Sequence, residues 1–274
     1  GGVGKTTTSA ATAISLAERN KDRTYKLYSI DPAHSLGDCF KISIGCQGLQ
    51  ILPNLSVYEL DADKLYRTFQ EEYRSTVNNL FDQFAGGSSY DRGIDFRYDR
   101  ELLNELFEMA PPGLSELMAL HQVILELGKT DCVIFDTAPT GHFVRFLELP
   151  PLAREWLKAV FELLLKYRAV VRLGAAAEKL VNLSKNIRSV MNIMTDHIKT
   201  AVIVVTIPKA MAVAETQRLL ESLDRHRIRC DDIVINMAAQ VGDCGFCTAC
   251  AADEAVWIEM ARNLCTSAVV IPYL

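Results

Sequence analysis

Four short apolar runs limit the fold of this chain more than any other feature. They are Lys26–Ile30 (KLYSI), Cys132–Asp136 (CVIFD), Ala201–Ile207 (AVIVVTI) and Asp232–Asn236 (DIVIN). Each is continuous rather than alternating, as in a strand of a parallel sheet covered on both faces. A fifth run, Ser267–Tyr273 (SAVVIPY), has the same character. Helical patterns lie between them. Asp63–Phe84 places Leu65, Phe69, Tyr73, Val77, Leu80 and Phe84 at steps of three or four. Lys5–Arg19, Leu114–Leu127, Pro151–Leu173, Glu178–Ile198 and Met211–Arg225 are further helix candidates. Strands alternating with helices predict an α/β fold, doubly wound about a mostly parallel sheet. We expect a single domain over 1–274 with a helical subdomain inserted at 151–199, together with 61–128. The polar stretch Gly86–Asp99 reads as a mobile surface loop.

Charge and composition exclude some functions. The formal charge is −5 and no block of Lys and Arg stands out, which argues against a nucleic-acid partner. No apolar run reaches the ~20 residues that span a bilayer, so no transmembrane segment is expected. The eight cysteines sit in a long chain with 49% hydrophobic residues, enough to build a core without disulfides. That predicts a reducing compartment and a cytoplasmic protein.

The segment GGVGKTTTSA, residues 1–10, leads straight into a helical pattern. Gly4-Lys5-Thr6 fits the end of the phosphate-loop pattern G-x-x-x-x-G-K-[ST]. Backbone N–H groups of Gly1, Gly2, Val3, Gly4 and Lys5 would face phosphate oxygens at a helix N-terminus. Lys5 would reach the β- and γ-phosphates, and Thr6 would place its hydroxyl on Mg²⁺.

Two carboxylates stand where such a loop needs them. Asp31 in SIDPAHSLGD and Asp136 in IFDTAPTGHFVRFL each follow an apolar run. Ligands of open α/β sheets bind at the carboxyl ends of strands. One carboxylate can hold Mg²⁺ or its waters while the other orients the attacking water. His34 and Ser35 beside Asp31 read as turn and switch residues without direct chemistry.

Together these segments resemble the arsenical pump-driving ATPase (ArsA) and tail-anchored-protein targeting ATPase family, which are deviant Walker A P-loop ATPases. GGVGKTT is shared with septum-site, partitioning and nitrogenase iron-protein ATPases. DPAHSLGD and DTAPTGHFVRFLELP are far more specific, and PPGLSEL, PKAMAVAETQRLL and VINMAAQ extend the likeness along nearly the whole chain. The resemblance implies an ATP hydrolase with Lys5 on the phosphates, Thr6 on Mg²⁺ and Thr7 on the α-phosphate. Asp31 and Pro32 would open switch I, with Asp31 activating or orienting water. Asp136 would open switch II and support the Mg²⁺ shell, while His142 and Arg145 would couple nucleotide state to motion. Asn236 matches an adenine-reading Asn, whose amide donates and accepts at once. The family's loop also has a first Gly and a signature Lys that acts across a homodimer. Both are expected before Gly1, so the chain reads as a fragment whose first strand and loop start lie outside it.

The biological branch turns on CGFCTAC and on the helices after residue 150. A Cys-x-x-Cys pair gives zinc two of its four ligands, and a two-fold dimer would give the other two. The resemblance implies such a zinc site at Cys244 and Cys247. With Cys250, three thiols could instead take a soft trivalent species such as arsenite, act as a redox sensor, or stay unliganded. In Pro151–Leu173 the residues Arg154, Lys158, Glu162 and Lys166 form one polar stripe, and the remaining surface is largely apolar. Such helices line a groove for an apolar partner helix or pack on each other as core. We therefore expect a homodimeric Mg²⁺-ATPase that binds hydrophobic membrane-protein tails. The alternative is a motor subunit docked on an arsenite or anion efflux channel.

Overall fold

The computed structural model describes residues 2–31, 35–82, 96–137, 140–165, 174–241 and 244–273. For residues 80–82, 96–100, 107, 140–145 and 174–176 it describes the backbone alone. The chain divides into two compact units.

The first unit comprises Gly1–Leu60, Leu125–Leu147 and Met191–Leu274. It begins with α1 (Lys5–Arg19), β1 (Tyr25–Ser29) and α2 (Ser35–Phe40). Next come β2 (Leu49–Leu52), β3 (Leu55–Glu59) and, after the second unit's first segment, β4 (Cys132–Asp136). These strands form one sheet in the order β2-β3-β1-β4, with only β2 antiparallel. The rest of the unit holds β5 (Val202–Thr206), α8 (Ala210–Arg225), β6 (Cys230–Ala238), α9 (Gly245–Arg262) and β7 (Ser267–Pro272). Its strands form a second, all-parallel sheet in the order β5-β6-β7. The expected α/β architecture is present, as two sheets among the described residues rather than one.

Alanine lets α1 lie close on the first sheet. Ala10, Ala13 and Ala17, spaced by three and four, pack against Leu27, Leu55 and Val57, all buried. Burying each of those larger side chains contributes roughly 1.5–3 kcal/mol. Asn54, in the β2–β3 turn, donates to the carbonyls of Ala17, Asn20 and Arg23 at 3.0, 3.2 and 2.9 Å. It thereby ties the last turn of α1 to the turn that follows it. The strands β2 and β3 escape a search for continuous apolar runs. In β3, Leu55, Val57 and Glu59 are buried, whereas Ser56 and Tyr58 are half-buried.

The second unit, Asp61–Ile124 with Glu148–Val190, is helical. It holds α3 (Ala62–Asp82), α4 (Phe96–Glu108), α5 (Leu114–Ile124) and parts of α6 (Thr140–Leu165) and α7 (Gly174–Met194). Its core includes Tyr73, Val77, Leu103, Leu117, Val160, Leu164 and Leu180. Trp156 Nε1 on α6 donates to the Leu106 carbonyl in the last turn of α4 at 2.7 Å. The expected loop at Gly86–Asp99 is corrected at its end, because Phe96–Asp99 belong to α4; residues 86–95 lie outside the described ones. No helix among the described residues is long and apolar enough to cross a membrane.

Candidate active site

The phosphate loop is built on left-handed glycines. Gly2 and Gly4 have φ of 87° and 89°, a region that L-residues with a side chain rarely adopt. Gly4 caps α1 without any side-chain hydrogen bond, so the first helical N–H groups keep their donor capacity. A second constraint acts at Gly4, where a Cβ would collide with the side-chain amide of Asn236. That amide donates to the Val3 carbonyl at 3.0 Å. Asn236 reaches the loop from a β-bulge. The β6–β7 ladder pairs Ile235 with Val270 and then Ala238 with Pro272, so β6 carries one extra residue. Met237, inside the bulge, has a φ of 56°. Asn236 thus lies beside the phosphate loop, with its amide on the loop backbone.

Behind the loop the register of the first sheet lines up three polar side chains. Ser29 on β1 pairs with Glu59 on β3 and with Asp136 on β4. All three end their strands and all three are buried. Asp136 is 1% exposed. Burial pushes its acid above the usual carboxylate range, while hydrogen bonds from Thr6, Ser29 and Ser9 and the charge of Lys5 pull the other way. Ser29 Oγ donates to Asp136 Oδ2 at 3.0 Å, and Ser9 Oγ lies 3.3 Å from Oδ1. The backbone N–H of Asp31 donates to Ser29 Oγ at 3.3 Å. One hydroxyl therefore connects the Asp136 carboxylate to the backbone of Asp31. Ser35 Oγ donates to Asp31 Oδ2 at 3.0 Å.

The structure brings Lys5, Thr6, Asp31, Asp136 and Asn236 into one neighbourhood. Thr7 is exposed on α1, its hydroxyl 3.8 Å from Cys39 Sγ on α2. Gly1, Pro32 and His34 lie outside the described residues, and so do the side chains of His142 and Arg145, whose backbone is in α6. Ser9, Ser29 and Glu59 were not apparent from sequence. Ser29 stands two residues before Asp31, but its partners become visible only once β1, β3 and β4 are in register.

A second polar centre closes the ends of β5, β6 and β7. Glu254 on α9, 5% exposed, accepts the Ala239 N–H at 2.6 Å and pairs with Lys209 Nζ at 2.8 Å. Gln240 Nε2 donates to the Tyr273 carbonyl at 3.1 Å, and the Tyr273 N–H to the Ala238 carbonyl at 2.8 Å. The same helix carries the cysteine motif at its start. Cys244 caps α9, its sulfur accepting the Cys247 N–H at 3.2 Å. The two sulfurs lie 3.0 Å apart. Donation from the Cys247 thiol and from that N–H holds Cys244 below the ordinary thiol range, while Cys247 is pushed up as the donor. Cys250, half-buried, follows one turn later. Among the described residues, no group of three or more His, Cys, Asp or Glu side chains forms a metal-sized cluster.

A family model described as anion-transporting ATPase matches residues 1–273. The chain belongs to that family. The ATPase is 31% identical over 264 residues to "ATPase ASNA1 homolog" of Entamoeba histolytica, covering 89% of this chain and 76% of the relative. It is 32% identical over 269 residues to "ATPase GET3" of Komagataella phaffii, covering 91% and 74%. It is 34% identical over 298 residues to "ATPase ARSA1" of Chlamydomonas reinhardtii, covering 96% of this chain and 37% of the relative. ATP hydrolysis is therefore its chemistry.

Proposed function

We propose that this ATPase works as a cytoplasmic homodimer whose nucleotide cycle opens and closes an apolar surface for hydrophobic membrane-protein tails. The observation that carries this reading is α6. The helix starts at Thr140, four residues after Asp136, and continues to Leu165 in the helical unit. Pro150 and Pro151 lack the N–H groups that would bond to Phe146 and Leu147. The helix thus has its weakest turn just beyond the first unit. Leu152, Leu165 and Val181, on α6 and α7, are exposed at 46%, 50% and 40%. They suit an apolar client helix.

In this reading Lys5 and the N–H groups of Gly1–Lys5 bind the phosphates, aided by the N-terminal dipole of α1. Thr7 touches the α-phosphate and Asn236 reads the adenine edge. Thr6 and Asp136 fit Mg²⁺, a hard cation that takes oxygen ligands. The metal would supply charge stabilisation at the phosphates. Asp31 orients the water, and His142 and Arg145 carry the nucleotide state into α6. Cys244 and Cys247 offer two soft sulfurs, so a second copy of the chain would complete a four-coordinate zinc.

Pull-down of a transmembrane-tail peptide, with ATP and with ADP, tests the carrier role. Capture in one nucleotide state supports it; no capture in either removes it. A second reading, a motor docked on an anion efflux channel, rests on the third thiol at Cys250. It predicts arsenite-stimulated hydrolysis that Cys→Ser variants lose, and flat activity over an arsenite titration would count against it.

A further inference from the structure

We infer that Glu59 is a positioning residue for ATP hydrolysis, holding α2 where Ser35 fixes the carboxylate of Asp31. The inference rests on the proposed role of Asp31 as the residue that orients water.

Glu59 is the last residue of β3 and 8% exposed. A carboxylate this buried is costly unless hydrogen-bond donors meet it. One donor is the N–H of Gly37, in the first turn of α2, at 2.9 Å from Glu59 Oε1.

α2 has six residues, too few to be stable alone, so tertiary contacts set its place. Leu36, fully buried, anchors it to the core beneath α1. Gly37 adds backbone contacts of its own. Its carbonyl accepts the Ile42 N–H at 3.1 Å, and a Cβ there would stand 3.0 Å from the Ile42 carbonyl oxygen and 3.7 Å from Glu59 Oε1. Two residues earlier on the same helix, Ser35 donates to Asp31 Oδ2. The path Glu59, Gly37, Ser35, Asp31 connects the end of β3 to the proposed catalytic carboxylate. It runs opposite to the Ser29 path, which holds the Asp31 backbone from β1.

The test compares steady-state hydrolysis and ATP affinity in the purified ATPase and in E59A, E59Q, S35A, E59A/S35A and D31N. We expect E59A to lower kcat about tenfold while ATP affinity stays within about threefold. E59Q should remain within about threefold of the parent kcat, because the glutamine oxygen accepts the same N–H. In the S35A background E59A should add less than about twofold, since both act through one contact. A parent-like kcat in E59A, an E59Q as slow as E59A, or fully multiplying effects of E59A and S35A would each overturn the inference. D31N separates the two levels. If it hydrolyses ATP normally, the reading of Asp31 fails and this inference fails with it. If it binds ATP without turnover, the Glu59 variants judge the inference alone. Should E59A not fold, as read by thermal melting, E59D replaces it under the same criteria.

Discussion

Asn236 and Val3, 233 positions apart in the chain, are joined by one hydrogen bond of 3.0 Å from the Asn236 amide to the Val3 carbonyl. The bond ties the end of β6 to the phosphate loop and occupies the space that a side chain at position 4 would need. A single amide thus constrains both the loop's shape and its sequence.

Asn236→Ala should weaken ATP binding about tenfold, the scale of one hydrogen bond lost. Gly4→Ala should do more, because it combines strain at φ 89° with collision against Asn236. Titration calorimetry with ATP measures both. Equal affinity in Asn236→Ala and the parent would show that this bond does not shape the loop.

Ser29→Ala removes a donor to Asp136 and the acceptor for the Asp31 N–H in one step. Hydrogen bonds to charged groups contribute about 1.5–3 kcal/mol, so turnover should fall at least tenfold. Ser29→Thr keeps the hydroxyl and should recover most of the rate. Stopped-flow hydrolysis with ATP in excess reads the difference; an unimpaired Ser29→Ala variant would show that these two bonds do not contribute to turnover.

The thiols should react in a fixed order. Cys244 is exposed and held below the ordinary thiol range. Burial, reinforced by Cys265, pushes Cys230 up from 9.0 to about 12. Because the thiolate is the nucleophile, iodoacetamide near neutral pH should label Cys244 early and Cys230 last in protein stripped of metal by a chelator. Peptide mass spectrometry over time shows the order, and early labelling of Cys230 in folded protein would contradict it.

The same shift fixes a sign for stability. Folded Cys230 keeps its proton to a higher pH than the unfolded thiol, so its contribution is complete below about pH 9 and is lost as pH rises toward 12. Tyr66, pushed by burial to about 12 from 10.0, adds the same sign in the upper part of that window. Urea melts between pH 8 and 11 should show falling stability. Cys230→Val should reduce the slope, and an unchanged slope would mean that other groups dominate.

Trp156→Phe keeps the ring packing of α6 but leaves the Leu106 carbonyl without its donor. A buried acceptor left unsatisfied costs about 1–3 kcal/mol, and this half-buried one should fall at the lower end. Chemical denaturation should register that loss, whereas a change below about 0.5 kcal/mol would place water at the carbonyl.

Much of the site is visible in the chain because its parts are local. Lys5 and Thr6 follow their glycines directly, and Asp31 and Asp136 each stand at or just after the end of an apolar run. The helices α3, α5, α6 and α7 are likewise readable from their spacing, whereas α2 and α9 in the first unit have no long apolar period to expose them. The strand β3 was missed because it alternates.

Residue order thus determined the α/β class, the glycine loop before α1 and the places of Asp31 and Asp136 at strand ends, since these depend on neighbours a few positions apart. Only the tertiary structure decided that Ser29, Glu59 and Asp136 share one buried row, and that a bulge at Met237 leaves Asn236 against Val3. Strand register and bulges follow from packing between segments far apart in sequence. No local pattern of residue types encodes which strand ends will meet.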